Sequence, residues 1–332
     1  MKKKTFLSLS ILIIILIFFF KFNGLEDLID SFKHLKVEHY IFLTLLQLLT
    51  ISLTTYQWVF LVNKTGKISF FKMLQINLAG TFVESVTPSS RFGGEGAKVF
   101  LLKKSTELNY TQIASKMILL KFVMLFPFMC MTLLFFLISL FNYKLPNFIY
   151  LSFLGIFIFF SVLFFLAKKS KLKESNSEKA HANFIVKFID KTFTFFSESC
   201  EKAKKILTKK EIIYLMLISS FVWFLYPVKF FLVSNILGFE IPFGLVVLAT
   251  FSAYTVSIMP VTPGGVGTFE ASMALIFSIN GLIFSSGVSI SILARTFTFW
   301  LPLFLSILAS FTLLFPNIKN NKKLKKEFKN AN

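Results

Sequence analysis

Two stretches of this chain put helix breakers and a carboxylate inside apolar sequence. Pro260–Glu270 holds two prolines, three glycines and one glutamate between apolar runs. Thr87–Gly96 (Thr-Pro-Ser-Ser-Arg-Phe-Gly-Gly-Glu-Gly) answers it. Each has a Thr-Pro followed by a Gly-Gly, and in each the glutamate, Glu95 or Glu270, stands seven residues after the proline, Pro88 or Pro263. Proline and glycine interrupt a helix, and a carboxylate is costly in hydrocarbon. Matching breaks in two halves of a membrane protein mark where a substrate site is built.

The surrounding sequence fits a bilayer. Of 332 residues, 55% are hydrophobic and only 16% charged, where soluble chains carry about 25% charge. The expected fold class is therefore an all-α polytopic membrane protein. The formal charge of +20 does not point to nucleic acid. The lysines sit in short segments beside apolar runs, where they orient helices and meet anionic lipid. Cys130 lies in an apolar run and Cys200 in a lysine-rich loop, so no disulfide framework is expected. His34, His39 and His181 lack metal-ligand spacing, and neither a metal nor another cofactor is expected.

In chain order, Lys2–Lys4 precede an apolar run over Thr5–Phe22 without a small-residue cleavage pattern. At 1.5 Å per residue it reaches about 27 Å, enough for a first span with a cytoplasmic N-terminus. Further spans are expected over 40–62, 117–141, 147–167, 212–237 and 287–315, making six. Residues 70–102 and 243–284 are interrupted, and neither half of either is long enough to cross alone. The lysines at both ends of 70–102 favour a re-entrant hairpin from the cytoplasm; 243–284 reads as a second hairpin or as two crossings. Residues 168–211 carry twelve lysines against six acids and belong inside. Phe184, Ile185, Phe188, Ile189, Thr192 and Phe196 recur there at helical spacing, as on a surface-lying helix. The tail 317–332 is basic. Both loops are expected to meet the anionic membrane surface, and Pro227 is expected to kink the helix that carries Lys229.

Each half reads span, span, broken hairpin, span, so residues 5–141 and 147–315 are expected to form inverted repeats within one transmembrane domain. The tips would meet near mid-membrane. Lys121 and Arg295 fall at nearly equivalent places. Arg295, about 12 Å into its span at 1.5 Å per residue, needs Glu270, Glu95 or an anionic ligand as partner. Lys121 is expected to snorkel to the inner surface. Glu84 reads as a structural or rim residue.

Thr87–Lys98, Pro260–Ala271 and the intramembrane Arg295 resemble the flippase-like family typified by the membrane domain of lysylphosphatidylglycerol synthases. The resemblance covers most of the chain and is most specific at Pro-Gly-Gly-Val-Gly-x-x-Glu. It implies movement of lipids across the bilayer, and it also admits a membrane-embedded transferase, or its accessory subunit, as in relatives joined to glycosyltransferase modules. Only about 16 residues follow the last span, so the aminoacyltransferase domain of bifunctional members is not expected. No nucleotide-binding loop or nucleophile site is visible, and an enzyme is not the expected reading. A scaffold or small-solute transporter is a third possibility.

The expected substrate-binding residues are Arg91, Gly93, Gly94, Glu95, Pro263, Gly264, Gly265, Gly267, Glu270 and Arg295. The arginines suit phosphate, the glycines admit a head group, and the hairpin helix N-termini offer free N–H groups. The glutamates would pair with the arginines, hold a cation or proton, or simply cap the returning helices. The partner is a phospholipid or polyprenyl-phosphate-linked lipid in the plasma membrane, with a membrane partner enzyme as a further option.

Overall fold

A computed structural model describes residues 35–87, 92–144, 206–257 and 262–314, with 32–33 and a few positions between 150 and 158. The described residues are helical, with no strand among them. In order they form α1 (Val37–Val62), α2 (Phe70–Val86), α3 (Phe92–Ser105), α4 (Tyr110–Asn142), α5 (Lys209–Ile236), α6 (Phe243–Ser257) and a 3₁₀ turn (Pro263–Gly265). Then come α7 (Thr268–Ile279), α8 (Phe284–Arg295), a π-helical turn (Thr296–Trp300) and α9 (Leu301–Leu314).

Among the described residues four stretches are long and apolar enough to cross a membrane: Val37–Val62, Tyr110–Ile138, Lys209–Ile236 and Phe284–Leu313. They coincide with the second, third, fifth and sixth expected spans. The third begins earlier than expected, because Asn109 and Gln112 cap α4 reciprocally, each backbone N–H donating to the other's side-chain oxygen at 2.9 and 2.8 Å. The first span, most of the fourth, the amphipathic helix and the tail lie outside the described residues.

Apolar side chains on these helices point two ways. Leu217, Phe221 and Phe224 on α5 and Phe304, Leu308 and Phe311 on α9 are exposed at spacings of three and four, as on a lipid-facing stripe. Among the described residues the opposite faces form two large cores and a smaller one. One gathers Trp58, Met73, Ile76, Leu102, Leu120 and Leu215 from α1–α5. The other gathers Phe230, Val246, Phe269, Met273, Phe277 and Leu293 from α5–α8. The smaller core sets Phe128 of α4 against α5 and α6, its ring centroid 5.7 Å from Phe251 and 4.4 Å from Trp223.

Each interrupted stretch is a pair of short helices folded onto one another, α2 on α3 and α6 on α7. The end of the last span, α9, packs along α2, and the 3₁₀ turn also touches α2. The two breaks are therefore neighbours. Several buried polar groups find partners on a neighbouring helix: Gln57 Nε2 donates to Leu215 O at 2.9 Å and Ser219 Oγ at 2.7 Å, and Lys116 Nζ donates to Leu61 O at 2.8 Å.

The α2–α3 contact is set by Gly94, where a Cβ would lie 2.5 Å from Gly80 O and 2.8 Å from Glu84 Cβ. Gly96, on the same helix, has open space around that position. Gly94→Ala should lower stability by about 1–3 kcal/mol through overpacking, whereas Gly96→Ala should be neutral or slightly stabilising. Thermal unfolding midpoints of the two variants in detergent test the contrast.

Candidate functional site

The second break is shaped by glycine. Gly264, Gly265 and Gly267 have φ of 62°, 66° and 86°, a region in which a Cβ is disfavoured. Space forbids it as well: a Cβ at Gly264 would sit 2.5 Å from the Phe299 ring. The turn leaves two carbonyls pointing inward, and Arg295 takes both. Nη2 donates to Gly264 O at 2.7 Å and Nη1 to Gly265 O at 3.2 Å. Nη1 also donates to Glu270 Oε1 at 2.7 Å. Glu270 Oε2 accepts from Gly267 N–H at 2.7 Å. The glutamate therefore caps α7 and neutralises Arg295 together. Both residues are 4% exposed. The guanidinium lies 4.4 Å from the Phe299 centroid and 5.0 Å from that of Phe269.

Arg295 ends α8 where the helix widens. Leu301 N–H bonds back to Thr296 O, five residues earlier. Pro302 follows, with no N–H and a ring that crowds the carbonyl four residues before it, which opens the helix at this point.

The first break repeats the carboxylate but not its partner. Glu95 Oε1 accepts from Lys121 Nζ at 2.7 Å and Lys98 Nζ at 3.1 Å. Lys121, expected at the inner surface, turns to Glu95 instead. Its reach from α4 spans the short distance to α3, and a buried carboxylate is a stronger attractor than distant water. Lys98 is not among the expected site residues. It lies three residues after Glu95 on the same helix face. Its stem crosses Gly80, where a Cβ would be 2.5 Å from Lys98 Cε.

A cavity of about 300 Å³ opens between the breaks. Its lining includes Glu84, Glu95, Lys98 and Lys121 from α2–α4, and Thr262, Gly264, Gly265 and Arg295 from the second break and the end of α8. Gln47 and Thr50 also line it. Behind them Lys229, fully buried, donates to Gln47 Oε1 at 2.6 Å and Thr50 Oγ1 at 3.0 Å, with its ammonium 4.5 Å from the Tyr226 ring centroid. Of the expected site residues, Glu95, Gly264, Gly265 and Arg295 line this cavity. Glu270 stands behind Arg295, Gly267 supplies the N–H to it, and Pro263 opens the turn. Gly94 serves helix packing rather than ligand approach, and Gly93 is its neighbour within α3. Arg91 lies outside the described residues. Among the described residues no cluster of three metal-ligating side chains occurs.

Removing one partner of a buried ion pair strands the other. Arg295→Met should destabilise the protein by about 3–5 kcal/mol, and adding Glu270→Gln should restore more than half of that. The glutamine side chain would keep an oxygen for Gly267 N–H. Equal unfolding midpoints for the single and double variants would show that the pair does not hold the turn.

Comparison with known proteins places this architecture. The model of the lysylphosphatidylglycerol synthase TM region matches residues 5–306. A UPF0104 membrane protein of Pyrococcus horikoshii is 24% identical over 322 residues, covering 91% of this chain and 94% of that protein. Another, from Methanocaldococcus jannaschii, is 24% identical over 325 residues, covering 93% and 96%. A third, from Methanothermobacter thermautotrophicus, is 20% identical over 295 residues, covering 84% and 86%. No solved structure matches the chain. With a match over nearly its whole length, the chain is a membrane protein of the lysylphosphatidylglycerol synthase transmembrane-region family.

Proposed function

We propose that the protein is a translocator of lipids or lipid-linked precursors, which takes an anionic head group into the cavity between the breaks while the acyl or polyprenyl tails stay in lipid. The observation that carries this reading is the convergence of Lys98, Lys121 and Arg295 on one cavity inside an apolar bundle. Charges are expensive at membrane depth and are retained there for substrates, ions or protons. Arg295 uses three of its five N–H donors among the described residues, which leaves two for a phosphate. The N-termini of α3 and α7 both begin at the breaks and add positive dipole ends. The cavity lies deep between helices whose outer faces are apolar, as a path for a head group beside lipid tails requires.

On this reading the halves are inverted repeats with re-entrant breaks, and the protein sits in the plasma membrane with both termini in the cytoplasm. The ion pairs support the repeat. Glu95 and Glu270 are 175 positions apart, Lys121 and Arg295 are 174 apart, and each glutamate binds the cation of its own half. The basic segments 168–211 and 317–332 lie against anionic lipid, where a membrane partner enzyme can also dock.

Vesicles containing the purified protein should exchange an acyl-labelled anionic phospholipid between leaflets faster than protein-free vesicles. Lys98→Gln and Lys121→Gln should each slow the exchange about tenfold or more, the effect of losing a charge-assisted contact, measured at a temperature at which each variant remains folded. Unchanged exchange in both variants would remove the cavity from the function.

A further inference from the structure

Lys229 holds neither break, yet it is a lysine fully buried in α5. Its Nζ donates to Gln47 Oε1 at 2.6 Å and Thr50 Oγ1 at 3.0 Å, and the Tyr226 ring centroid lies 4.5 Å away. Gln47, Thr50 and Tyr226 all line the cavity, so Nζ is one side chain removed from it. Three other cations around the cavity have carboxylates: Glu270 binds Arg295, and Glu95 binds Lys98 and Lys121. Lys229 is bonded to no carboxylate among the described residues.

The helices around it supply none. α5 packs against α1, α4, α6 and α8, and it touches α7 where Phe230 meets Phe269, ring centroids 5.6 Å apart. The acids on these six helices are Glu38, Glu211 and Glu270. Both oxygens of Glu270 are engaged, by Arg295 and by Gly267 N–H. Glu38, beside His39, stands nine residues before Gln47, and Glu211 eighteen before Lys229, about 13 and 27 Å away at 1.5 Å per residue. Glu211 binds Lys64. Among the other titratable groups, Tyr56 bonds Tyr214 at 3.4 Å, Tyr40 bonds Phe32 O, and Tyr254 packs edge-on against Tyr226. Lys116 is as deeply buried as Lys229, but it donates to Leu61 O, one of the last carbonyls of α1, where a cation meets the negative end of a helix. Gln47 and Thr50 lie in the middle of α1 and offer no such end.

The hydrogen bonds suit two protonation states. Thr50 spends its own proton on Leu46 O at 2.9 Å, and Gln47 Oε1 accepts, so Lys229 donates both bonds. An amine has two N–H groups and an ammonium three. Either form keeps the two bonds that place Nζ, and the third proton has no oxygen partner among the described residues. It can arrive or leave without disturbing the packing. A buried charge with no counter-charge is expensive in an apolar bundle, and an ionisable group kept there serves a pathway for ions or protons.

We propose that Lys229 is a proton-coupling site, which carries one proton across the membrane with each anionic lipid. This rests on the translocator reading and adds its coupling ion. As the head group enters the cavity, the amine lone pair of Nζ takes a proton from hydronium on the open side, forming one N–H bond and leaving water. As the head group departs on the other side, the ammonium returns that proton to water. Ammonium and anion favour one another across the Gln47, Thr50 and Tyr226 layer, and this linkage is reciprocal. One proton with one negative charge makes the movement electroneutral, so a pH difference drives it and a membrane voltage does not.

The test uses phosphatidylcholine vesicles that contain the full chain and a trace of acyl-labelled phosphatidylglycerol. The exterior is made acid, and valinomycin with potassium holds the voltage at zero. Label should gather in the inner leaflet, toward about tenfold per pH unit, the equilibrium for one proton per anion. It should do so faster than in protein-free vesicles, and a proton ionophore should abolish it. Lys229→Met removes the proton site and strands no carboxylate, whereas Lys229→Arg keeps a cation that does not deprotonate. Both should lose the accumulation. Undiminished accumulation in either variant would overturn the assignment to Lys229. Exchange at equal pH by the unaltered protein, with no response to the pH difference, would overturn the coupling and leave the translocator reading intact. No exchange above the protein-free rate would overturn both. Should neither variant fold, Gln47→Leu removes one acceptor of Nζ and should slow gradient-driven accumulation more than exchange at equal pH; equal effects on the two would overturn the role of Lys229.

Discussion

Irregular backbone inside a membrane protein must find hydrogen-bond partners that lipid cannot give. Here the clasp of Arg295 supplies them. The turn at Pro263–Gly265 frees the carbonyls of Gly264 and Gly265, and one guanidinium takes both. That creates a buried cation, which Glu270 neutralises, and the second Glu270 oxygen caps the N-terminus of α7 through Gly267 N–H. Each group answers the need created by the one before. A planar fork is required, because a lysine could not serve two carbonyls and a carboxylate from fixed directions at once. The flanking Phe269 and Phe299 rings keep the guanidinium dry and oriented.

The first break surrounds its carboxylate with different cations. Lys121 takes the place of Arg295 but lacks the fork, and Lys98 joins it on Glu95. The result is less sealed: Lys121 keeps 36% of its side chain exposed, against 5% for Arg295. The proposed inverted repeat would also account for the π turn. Pro127 in α4 and Pro302 in α9 are 175 positions apart, the same offset as the glutamates, while Lys121 and Arg295 are 174 apart. The second half thus carries one more residue between its cation and its proline. A turn closed by an i→i+5 bond holds one residue more than an α turn, and Thr296–Trp300 is such a turn.

Much of this is legible in the sequence, for reasons that also mark its limits. An arginine deep in an apolar run needs a counter-charge, so the sequence narrows its partner to Glu270, Glu95 or an anionic ligand, and the fold selects Glu270. It does not nominate Lys98, which runs into Lys103 and Lys104 and reads as part of an interfacial lysine cluster. For Lys121, depth counted from the end of its own span points to the inner surface, whereas Glu95 approaches it from another helix. Lys229 is visible as a charge, but Gln47 and Thr50 become its partners only through the packing of α1 on α5. Hydropathy does not register backbone hydrogen-bond offset, so the π turn leaves no trace there. The glycines mislead in one respect: a Gly-Gly reads as room for a ligand, while Gly94 is needed where α2 and α3 touch.

The two breaks therefore differ in what they offer to the shared cavity. The second has spent both oxygens of its carboxylate within the fold, one on Arg295 and one on Gly267 N–H. What remains there is donor capacity, the unused guanidinium N–H groups and the start of α7. The first has placed two donors on one carboxylate oxygen and left the other bare among the described residues. What remains there is acceptor capacity. Unused donors at one break and a buried acceptor at the other make the two breaks inequivalent and give the pair a polarity. Lysine rather than arginine at position 121, with Lys98 recruited across Gly80, is the difference that gives this bundle a distinguishable front and back.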